Sequence, residues 1–221
     1  MPEFCRSGPF VVSGGMNAVS VTGEHDPSAL PPEEMQRAQL YALLAHLLAR
    51  PPGGEFLAAL AALDGDASPL GQALRGLAEA ARGTDAAAVE EEFNILFIGV
   101  GGGILSPYGS YYLTGFLHEK PLAELRGDMA LLGIARADDV KEPEDHIAAL
   151  AEMMAGLITG AFDAPADLEA QRRFFDRHIG SWAGRFFTDL ESTPSAAFYR
   201  TVGTLGHRYL EVEGKAFDMA A

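Results

Sequence analysis

The apolar residues of this chain recur every three to four positions over most of its length, and this spacing limits the fold more than any other feature. From Pro31 onward they form stripes that each lie on one face of an α-helix. The alternation of apolar and polar residues that marks a half-buried strand is absent. The sequence therefore predicts an all-α fold, a single helical domain of about eight to ten helices. The stripes consist of Leu40, Leu43, Leu44, Leu47 and Leu48; Val89, Phe93, Leu96 and Phe97; Leu122, Leu125, Met129 and Leu132; Ile147, Leu150, Ala151, Met154, Leu157 and Ile158; Phe175, Ile179, Trp182 and Phe186; and Phe198, Val202, Leu205 and Tyr209.

Capping residues and prolines indicate where several of these helices begin. A polar residue that can accept a backbone N–H, or a proline that presets the first helical φ angle, is typical of a helix start. We expect helices to begin near four such points, which are Ser68-Pro69, Thr84, Glu142-Pro143 and Ala164-Pro165.

A glycine-rich segment at 99–103 interrupts the helical pattern and looks like a nucleotide-binding loop. The dinucleotide pattern fails, because Ile104 and Ser106 stand where its last glycine belongs. No Gly-Lys-Ser/Thr follows either, which excludes a P-loop. The upstream apolar stripe favours a helix that ends at a glycine and is followed by a loop. We expect a soft hinge near 99–107, with a nucleotide site as the minor alternative.

The charge of the chain argues against two classes of partner. Its 221 residues include 31 Asp and Glu against 16 Lys and Arg, a formal net charge of −15. Nucleic acids and anionic membranes are bound by clustered Lys and Arg, which this composition lacks. Hydrophobic residues make up 48% of the chain, enough for a core, so the acidity does not indicate disorder.

The N-terminal part contains no export or membrane signal. Its apolar stretch, Phe10-Val11-Val12, is too short for a signal peptide, and no window approaches the roughly 18 apolar residues of a membrane span. These features predict a cytoplasmic protein without stable membrane insertion. We expect residues 1–30 to be a flexible leader, with Cys5 as a free thiol, and 31–221 to form the helical domain.

Two aromatic segments contain candidate binding residues. In the first, at the end of a predicted helix, Phe93, Leu96 and Phe97 are expected to lie in the core. The second runs from Pro107 to Tyr112 and contains three tyrosines. Tyrosines offer flat apolar faces with a polar tip, which suits the binding of a peptide. An ordinary half-buried turn explains the second segment equally well.

A third candidate segment, Glu142-Pro143-Glu144-Asp145-His146, is expected to open the helix that continues from Ile147. Acidic side chains are favoured at a helix N-terminus, which explains the carboxylates without any function. His146 is predicted to make a polar contact there. Outside this segment the histidines are scattered, without the spacing of a metal site, and no Gly-x-Ser-x-Gly occurs. The sequence therefore predicts no catalytic residue and no metal site.

Taken in order, the three segments resemble the TorD/DmsD family of cytoplasmic redox-enzyme maturation chaperones. The family's aromatic-x-x-Leu-Phe pattern is matched by Phe93–Phe97, and its Pro-Tyr-x-Ser-x-Tyr pattern within 107–112. Its most distinctive signature, Glu-Pro-x-Asp-His, is matched in full within 142–146. The resemblance extends from about Pro31 to Leu210 and so covers most of the chain.

The resemblance implies an all-helical TorD-like chaperone that binds the twin-arginine signal peptide of a molybdenum-cofactor oxidoreductase. Such a chaperone assists cofactor insertion into the apoprotein and delays export until folding is complete. The resemblance implies a protein that is not an enzyme and has no cofactor, with weak GTP binding left open. Because glycine-rich hinges allow segments to be exchanged between subunits, we expect a monomer or a domain-swapped dimer. The resemblance places signal-peptide binding at Tyr108, Ser110, Tyr111, Tyr112, Glu142, Pro143, Asp145 and His146, supported by Phe93, Leu96, Phe97 and Ile147.

The residues themselves suit such a ligand. Carboxylates bind guanidinium groups through paired hydrogen bonds, while aromatic and aliphatic walls accept an apolar segment. The tyrosines are followed in sequence by acidic residues at 138–145. Gly109 and the glycines of 99–103 depart from the family pattern and bear on the identity of the client. Two alternatives stay open, namely a helical protein that weakly binds or hydrolyses guanine nucleotides and a non-catalytic helical adaptor.

Overall fold

A computed structural model describes residues 10–12, 30–99, 102–137 and 140–220. These residues form ten α-helices, so the predicted all-α fold is confirmed. None of the described helices is long and apolar enough to cross a membrane. The helices are α1 (Pro32–Ala49), α2 (Gly54–Ala61), α3 (Pro69–Arg82), α4 (Ala86–Phe93), α5 (Gly109–Thr114), α6 (Lys120–Leu131), α7 (Ile147–Thr159), α8 (Leu168–Phe174), α9 (Ala183–Ser192) and α10 (Phe198–Met219). Two π-helical segments follow α4 and α8, at Asn94–Ile98 and Phe175–Gly180.

The core lies where the apolar stripes predicted it. Helix α1 packs along α7, α10 packs along both α9 and α3, and α2 packs against α3. Burying one large apolar side chain contributes about 1.5–3 kcal/mol, so these stripes drive the assembly of the helices. The largest fully buried side chains are Trp182, Tyr41, Tyr199, Tyr209, Phe186 and Phe187.

Of the four predicted helix starts, Ser68 is confirmed as the cap itself, and Thr84 lies directly before the cap of α4. Ser68 caps α3 by accepting the Gly71 N–H at 3.0 Å. At the other three points the helix begins later, because a side chain further along the sequence accepts the free N–H groups of the first turn. The observed caps are Asp85 for α4, His146 for α7 and Asp167 for α8.

Two short strands, which the sequence pattern did not predict, form a small antiparallel ribbon. Strand β1 (Phe10–Val12) pairs with β2 (Ile134–Arg136), and Val11 lies opposite Ala135. Three residues are too few for a recognisable alternation of apolar and polar positions. Residues 1–9, including Cys5, and 13–29 lie outside the described residues. The division of the chain at residue 30 therefore stays a prediction.

A buried ion pair joins the first and last helices. The Arg37 guanidinium donates to both carboxylate oxygens of Glu213, from Nε to Oε1 at 2.8 Å and from Nη2 to Oε2 at 2.9 Å. The Tyr41 hydroxyl also donates to Glu213 Oε2, at 3.1 Å, and Glu34 accepts from Arg37 Nη1. Glu213 is only 1% exposed. Its charge is thus balanced within the core, which buried carboxylates require.

Candidate functional site

The second and third sequence segments lie side by side in the structure. Tyr108 and His146 form an isolated antiparallel bridge. Beside it, the Gly109 N–H donates to the Asp145 carbonyl oxygen at 2.9 Å. These backbone contacts join the start of α5 to the start of α7. Residues far apart in sequence therefore form one site, a convergence that the sequence could not establish.

Asp145 fixes the first turn of α5. Its carboxylate Oδ2 accepts the Ser110 N–H at 2.7 Å, and both residues are buried, with Asp145 only 3% exposed. This contact satisfies an amide that the helix itself leaves without a partner. Asp145 Oδ1 and Ser110 Oγ are also buried, and neither has a hydrogen-bond partner in the described part of the chain. Both side chains thus face the protein interior.

His146 caps α7. Its Nδ1 accepts the Ala148 N–H at 3.1 Å, so this ring nitrogen carries no proton. The ring also packs edge-to-face against Tyr108, with centroids 5.1 Å apart. Burial lowers the pKa of His146 from 6.5 to about 4. The next residue, Ile147, is buried, and its N–H donates to the Pro107 carbonyl at 2.8 Å. At neutral pH the imidazole is therefore an uncharged helix cap.

The lowered pKa of His146 predicts a loss of stability in acid. As the pH falls from 6.5 towards 4, the unfolded chain binds a proton that the folded chain does not, so unfolding is favoured. At about pH 5 this effect amounts to roughly 2 kcal/mol. Asparagine is a good N-cap and does not titrate. We therefore expect His146→Asn to lose about 2 kcal/mol less stability than the wild type between pH 7 and pH 5, as measured by urea denaturation.

The variant must be compared with the wild type because titration of Glu152 changes the stability in the opposite direction as the pH falls. Burial raises the pKa of Glu152 to about 7, so its uptake of a proton in the folded state adds stability as the pH falls. This contribution is common to the wild type and His146→Asn. Equal loss of stability in the two proteins would show that His146 does not remain neutral in the folded state.

Glu142 is the motif carboxylate that lies at the surface. It is exposed and accepts a hydrogen bond at Oε1 from the Tyr108 hydroxyl. Burial of the phenol and this hydrogen bond raise the pKa of Tyr108 well above its ordinary value. The Tyr108 hydroxyl is therefore protonated at neutral pH. Together, Tyr108 and Glu142 present a polar pair in which the carboxylate is the negative group.

Glu144, in contrast, already binds two arginines of the same chain. Its Oε2 accepts from Arg126 Nε at 3.0 Å and Nη2 at 2.8 Å, and Arg136 Nε lies 3.6 Å from Oε1. Although burial opposes it, the hydrogen bonds from Arg126 hold the pKa of Glu144 below its usual value. Asp138 and Asp139 lie outside the described residues. Within 142–145, Glu142 is thus the carboxylate exposed to a ligand.

The tyrosines of the second segment have different environments. Tyr112 is half-buried: its hydroxyl donates to Asp189 at 2.9 Å, and its ring lies against Trp182. Tyr111 is exposed. It belongs to a run of exposed apolar side chains on and just after α5 that includes Leu113, Phe116 and Leu117, of which Phe116 is 69% exposed. We call these four residues the α5 apolar patch, a group defined by exposure and by position in the sequence. Tyr111 and Leu113 point to different sides of the helix, and Leu113 also lines the small cavity beneath it. Exposed groups of this kind indicate an interaction surface.

Gly109 allows α5 to lie directly on Trp182. A Cβ at position 109 would stand 3.0 Å from Trp182 Nε1, a group that donates to the His178 carbonyl at 2.7 Å. The cavity between α5, Trp182 and Asp145 measures about 10 Å³, room for a single water. The space beneath α5 is therefore closed to anything larger than a water molecule.

The first segment lies in the core, as predicted. Phe93 and Leu96 are buried, and Phe97 is partly buried against Tyr199, with ring centroids 5.4 Å apart. The π-helical turn that contains Leu96 and Phe97 ends at Gly99, which confirms the predicted glycine stop.

The glycine-rich segment closes back onto this turn. A side chain at Gly103 would overlap the backbone of Leu96 and Phe97, so only glycine fits there. The Gly99 N–H donates to the Asn94 carbonyl at 2.8 Å, and the Gly102 N–H donates to the Gly99 carbonyl at 3.3 Å. A phosphate-binding loop needs free amides, whereas these two donate within the chain. The described glycines of this segment are thus explained by the packing of the chain, without a bound phosphate.

No group of three His, Cys, Asp or Glu side chains among the described residues could hold a metal ion. The candidate site exposes one carboxylate with its tyrosine partner, and the α5 apolar patch follows in the sequence.

Comparison with known proteins extends this result. Residues 63–188 match the family model described as the nitrate reductase delta subunit. The chaperone protein TorD of Vibrio atlanticus is 28% identical over 107 residues, covering 45% of this chain and 50% of that protein. TorD of Photobacterium profundum is 27% identical over 186 residues, covering 74% and 86%. The chain thus spans about half the length of the first relative and more of the second. Both names denote a chaperone, which agrees with the prediction of a non-enzyme.

A solved structure shows a related fold. A candidate redox enzyme maturation protein from Archaeoglobus fulgidus superposes with a TM-score of 0.54 at 23% identity. The match covers 79% of this chain and 93% of that protein. Since the family match covers more than half of the 221 residues, the chain belongs to the nitrate reductase delta subunit family, the group that includes the TorD-type redox-enzyme maturation chaperones.

Proposed function

We propose that this protein is a cytoplasmic chaperone that binds the twin-arginine signal peptide of a molybdenum-cofactor oxidoreductase, assists cofactor insertion and delays export. Membership of a family of redox-enzyme maturation chaperones supports a client of this class. The observation that carries the peptide-binding part is the position of the exposed Glu142, which Tyr108 holds at the N-terminal end of α5, the helix that contains or directly precedes the residues of the α5 apolar patch.

The chemistry of this surface matches the order of groups in such a leader. Two guanidinium groups precede an apolar stretch, and a carboxylate binds guanidinium through charge-assisted hydrogen bonds. Glu142 supplies the carboxylate, and Tyr108 orients it through its hydroxyl. The apolar stretch would lie against Phe116 and Leu117, where its burial contributes about 25 cal/mol per Å² of apolar surface.

The remaining predicted site residues have a positioning role in this proposal. Ser110 and Asp145 are buried and hold the first turn of α5, while His146 caps α7 and packs against Tyr108. Tyr112 ties α5 to α9 through Asp189. Pro143 accepts the His146 N–H at its carbonyl, at 3.2 Å, and so shapes the turn that presents Glu142. Changing these residues would alter binding through the geometry of the surface.

Titration calorimetry with a synthetic leader peptide tests this proposal. The peptide has two adjacent arginines followed by about ten apolar residues. Glu142→Gln should weaken its binding by about 10- to 100-fold, because hydrogen bonds to charged groups contribute roughly 1.5–3 kcal/mol. Phe116→Ser should also weaken binding, since it removes apolar contact area. Glu79→Gln, an exposed acid on α3, is the matched control and should bind as the wild type does.

Two results would contradict the proposal. One is an affinity for the leader that is unchanged by Glu142→Gln. The other is binding that survives replacement of both leader arginines by glutamine, since the carboxylate would then have no cationic partner.

We propose further that the protein works without a resident cofactor and without nucleic acid. The net charge of −15 supports the second statement. No observation favours the nucleotide alternative, because the described amides at Gly99 and Gly102 donate to the chain itself. Titration with magnesium and GTP should give no heat of binding. Sedimentation velocity would distinguish a monomer from a domain-swapped dimer.

A further inference from the structure

A groove on the outer face of α4 and the π-helical turn that follows it lies outside the surface described above. It measures about 650 Å³, and its lining includes Glu90, Glu91, Ile95 and Ile98. The groove is largely open to solvent, so it suits a segment that lies along the surface and not an enclosed small molecule. None of these residues was predicted as part of the peptide-binding site.

The groove exposes apolar side chains that the core does not use. Val89, Phe93 and Leu96 are buried on the opposite face of the same segment. Ile95 is 45% exposed and Ile98 is 60% exposed. Ile104, also exposed, lies next to them, because its N–H donates to the Ile95 carbonyl at 3.4 Å. Three neighbouring exposed isoleucines are unfavourable in water and indicate a surface that a partner covers.

The two carboxylates of the groove have no cation of their own. Glu90 and Glu91 are exposed, and neither forms an ion pair or side-chain hydrogen bond within the described ranges of the chain. Their neighbour Glu92 differs, because its carboxylate accepts the N–H groups of Ala197 at 2.8 Å and Phe198 at 3.0 Å at the start of α10. Glu92 thus stabilises the fold, while Glu90 and Glu91 remain available to a partner.

The charge and the apolar surface of the groove together indicate which kind of partner binds there. A second copy of this chain is disfavoured, because a two-fold contact through this face would bring Glu90 and Glu91 against their own counterparts. The net charge of −15 adds to this repulsion. A peptide that combines basic and apolar residues satisfies both the carboxylates and the isoleucines.

We infer that this groove is a second contact surface for the client leader, with basic residues other than the arginine pair against Glu90 and Glu91 and apolar residues against Ile95, Ile98 and Ile104. The inference rests on the proposed function. Residues 102–107 lie between the groove and Tyr108 in the sequence. A leader bound at both would be held by two separate carboxylate groups.

The test is a titration of the synthetic leader peptide, extended by two lysines after its apolar residues, into variants of the full chain. Glu90→Gln/Glu91→Gln should weaken binding by about tenfold relative to Glu55→Gln/Glu79→Gln, which removes two exposed negative charges from α2 and α3. Ile98→Ser should weaken binding relative to Leu131→Ser, a control on α6 that is 86% exposed. Circular dichroism should show equal helix content in all variants.

Three other outcomes would contradict the groove inference, the proposed function or both. If the groove variants bind like their controls while Glu142→Gln is weak, the groove inference is wrong and the proposed function stands. If the wild type does not bind the peptide, the proposed function fails and the inference fails with it. If Ile98→Ser converts a dimer to a monomer in sedimentation velocity, the groove is a contact between copies of the chain and the inference is wrong.

Discussion

Glu213→Ala is expected to lower the free energy of unfolding by about 3–5 kcal/mol, the cost of removing one partner from a buried ion pair. The substitution leaves the Arg37 guanidinium facing an empty space between α1 and α10, where Glu34 and Gln171 are its remaining side-chain acceptors among the described residues. The Tyr41 hydroxyl loses its acceptor as well. Because the pair joins the first and last helices of the domain, its loss should destabilise the whole fold. Urea denaturation followed by circular dichroism measures the change.

A double substitution separates the charge effect from the loss of packing. Replacing both partners by apolar residues of similar size removes the unpaired charge, and such replacements are often neutral or stabilising. Arg37→Met/Glu213→Leu should therefore be more stable than Glu213→Ala by several kcal/mol. If the double variant is the less stable of the two, the ion pair itself, and not the avoidance of an unpaired charge, stabilises the junction.

Trp182→Ala is expected to cost about 3–5 kcal/mol, the range for removing a large aromatic from a core. Trp182 is fully buried, and its indole lies beneath α5, in contact with Gly109 and Tyr112. Removing it leaves a cavity under the helix that holds the apolar patch. The loss should therefore appear both in global stability and in the affinity for the leader peptide.

Hydrogen exchange measures directly whether Trp182→Ala destabilises α5. Hydrogen exchange should accelerate at the amides of Ser110 and Tyr112 in Trp182→Ala, because the side chain on which α5 packs is removed. Phe56→Ala, in the partly buried layer on α2, is the control for a general loss of packing. Unchanged exchange in α5, together with normal leader affinity, would show that Trp182 does not support the peptide surface.

Much of the helical core could be predicted because apolar spacing is a local property of the sequence. Leu47, Leu96 and Leu125 are buried as their stripes required. The helix starts were predicted less well, because several polar residues compete to cap each helix. At α7 the proline suggested a start at Glu142-Pro143, whereas His146 forms the cap and the preceding acidic residues form a turn.

The composition of the site was predicted in part, and its geometry was not. The tyrosine and acidic segments were recognised. Their contact, however, depends on the pairing of Tyr108 with His146, two residues that α6 and β2 separate in the sequence. Sequence gives no indication that Glu144 is neutralised by Arg126, since that contact is tertiary. The exposed Phe116 and Leu117 were missed, although two apolar residues directly after Gly115, the C-cap of α5, were a signal that could have been used.

Capture of a client by the full-length chain tests the central claim most directly. The protein is co-expressed with a molybdenum-cofactor oxidoreductase precursor from its own host, and with the same precursor without its leader. The account predicts that the precursor copurifies with its twin-arginine leader intact and that the leaderless form does not. Equal recovery of the two forms, or recovery of neither, would contradict a chaperone that recognises the leader.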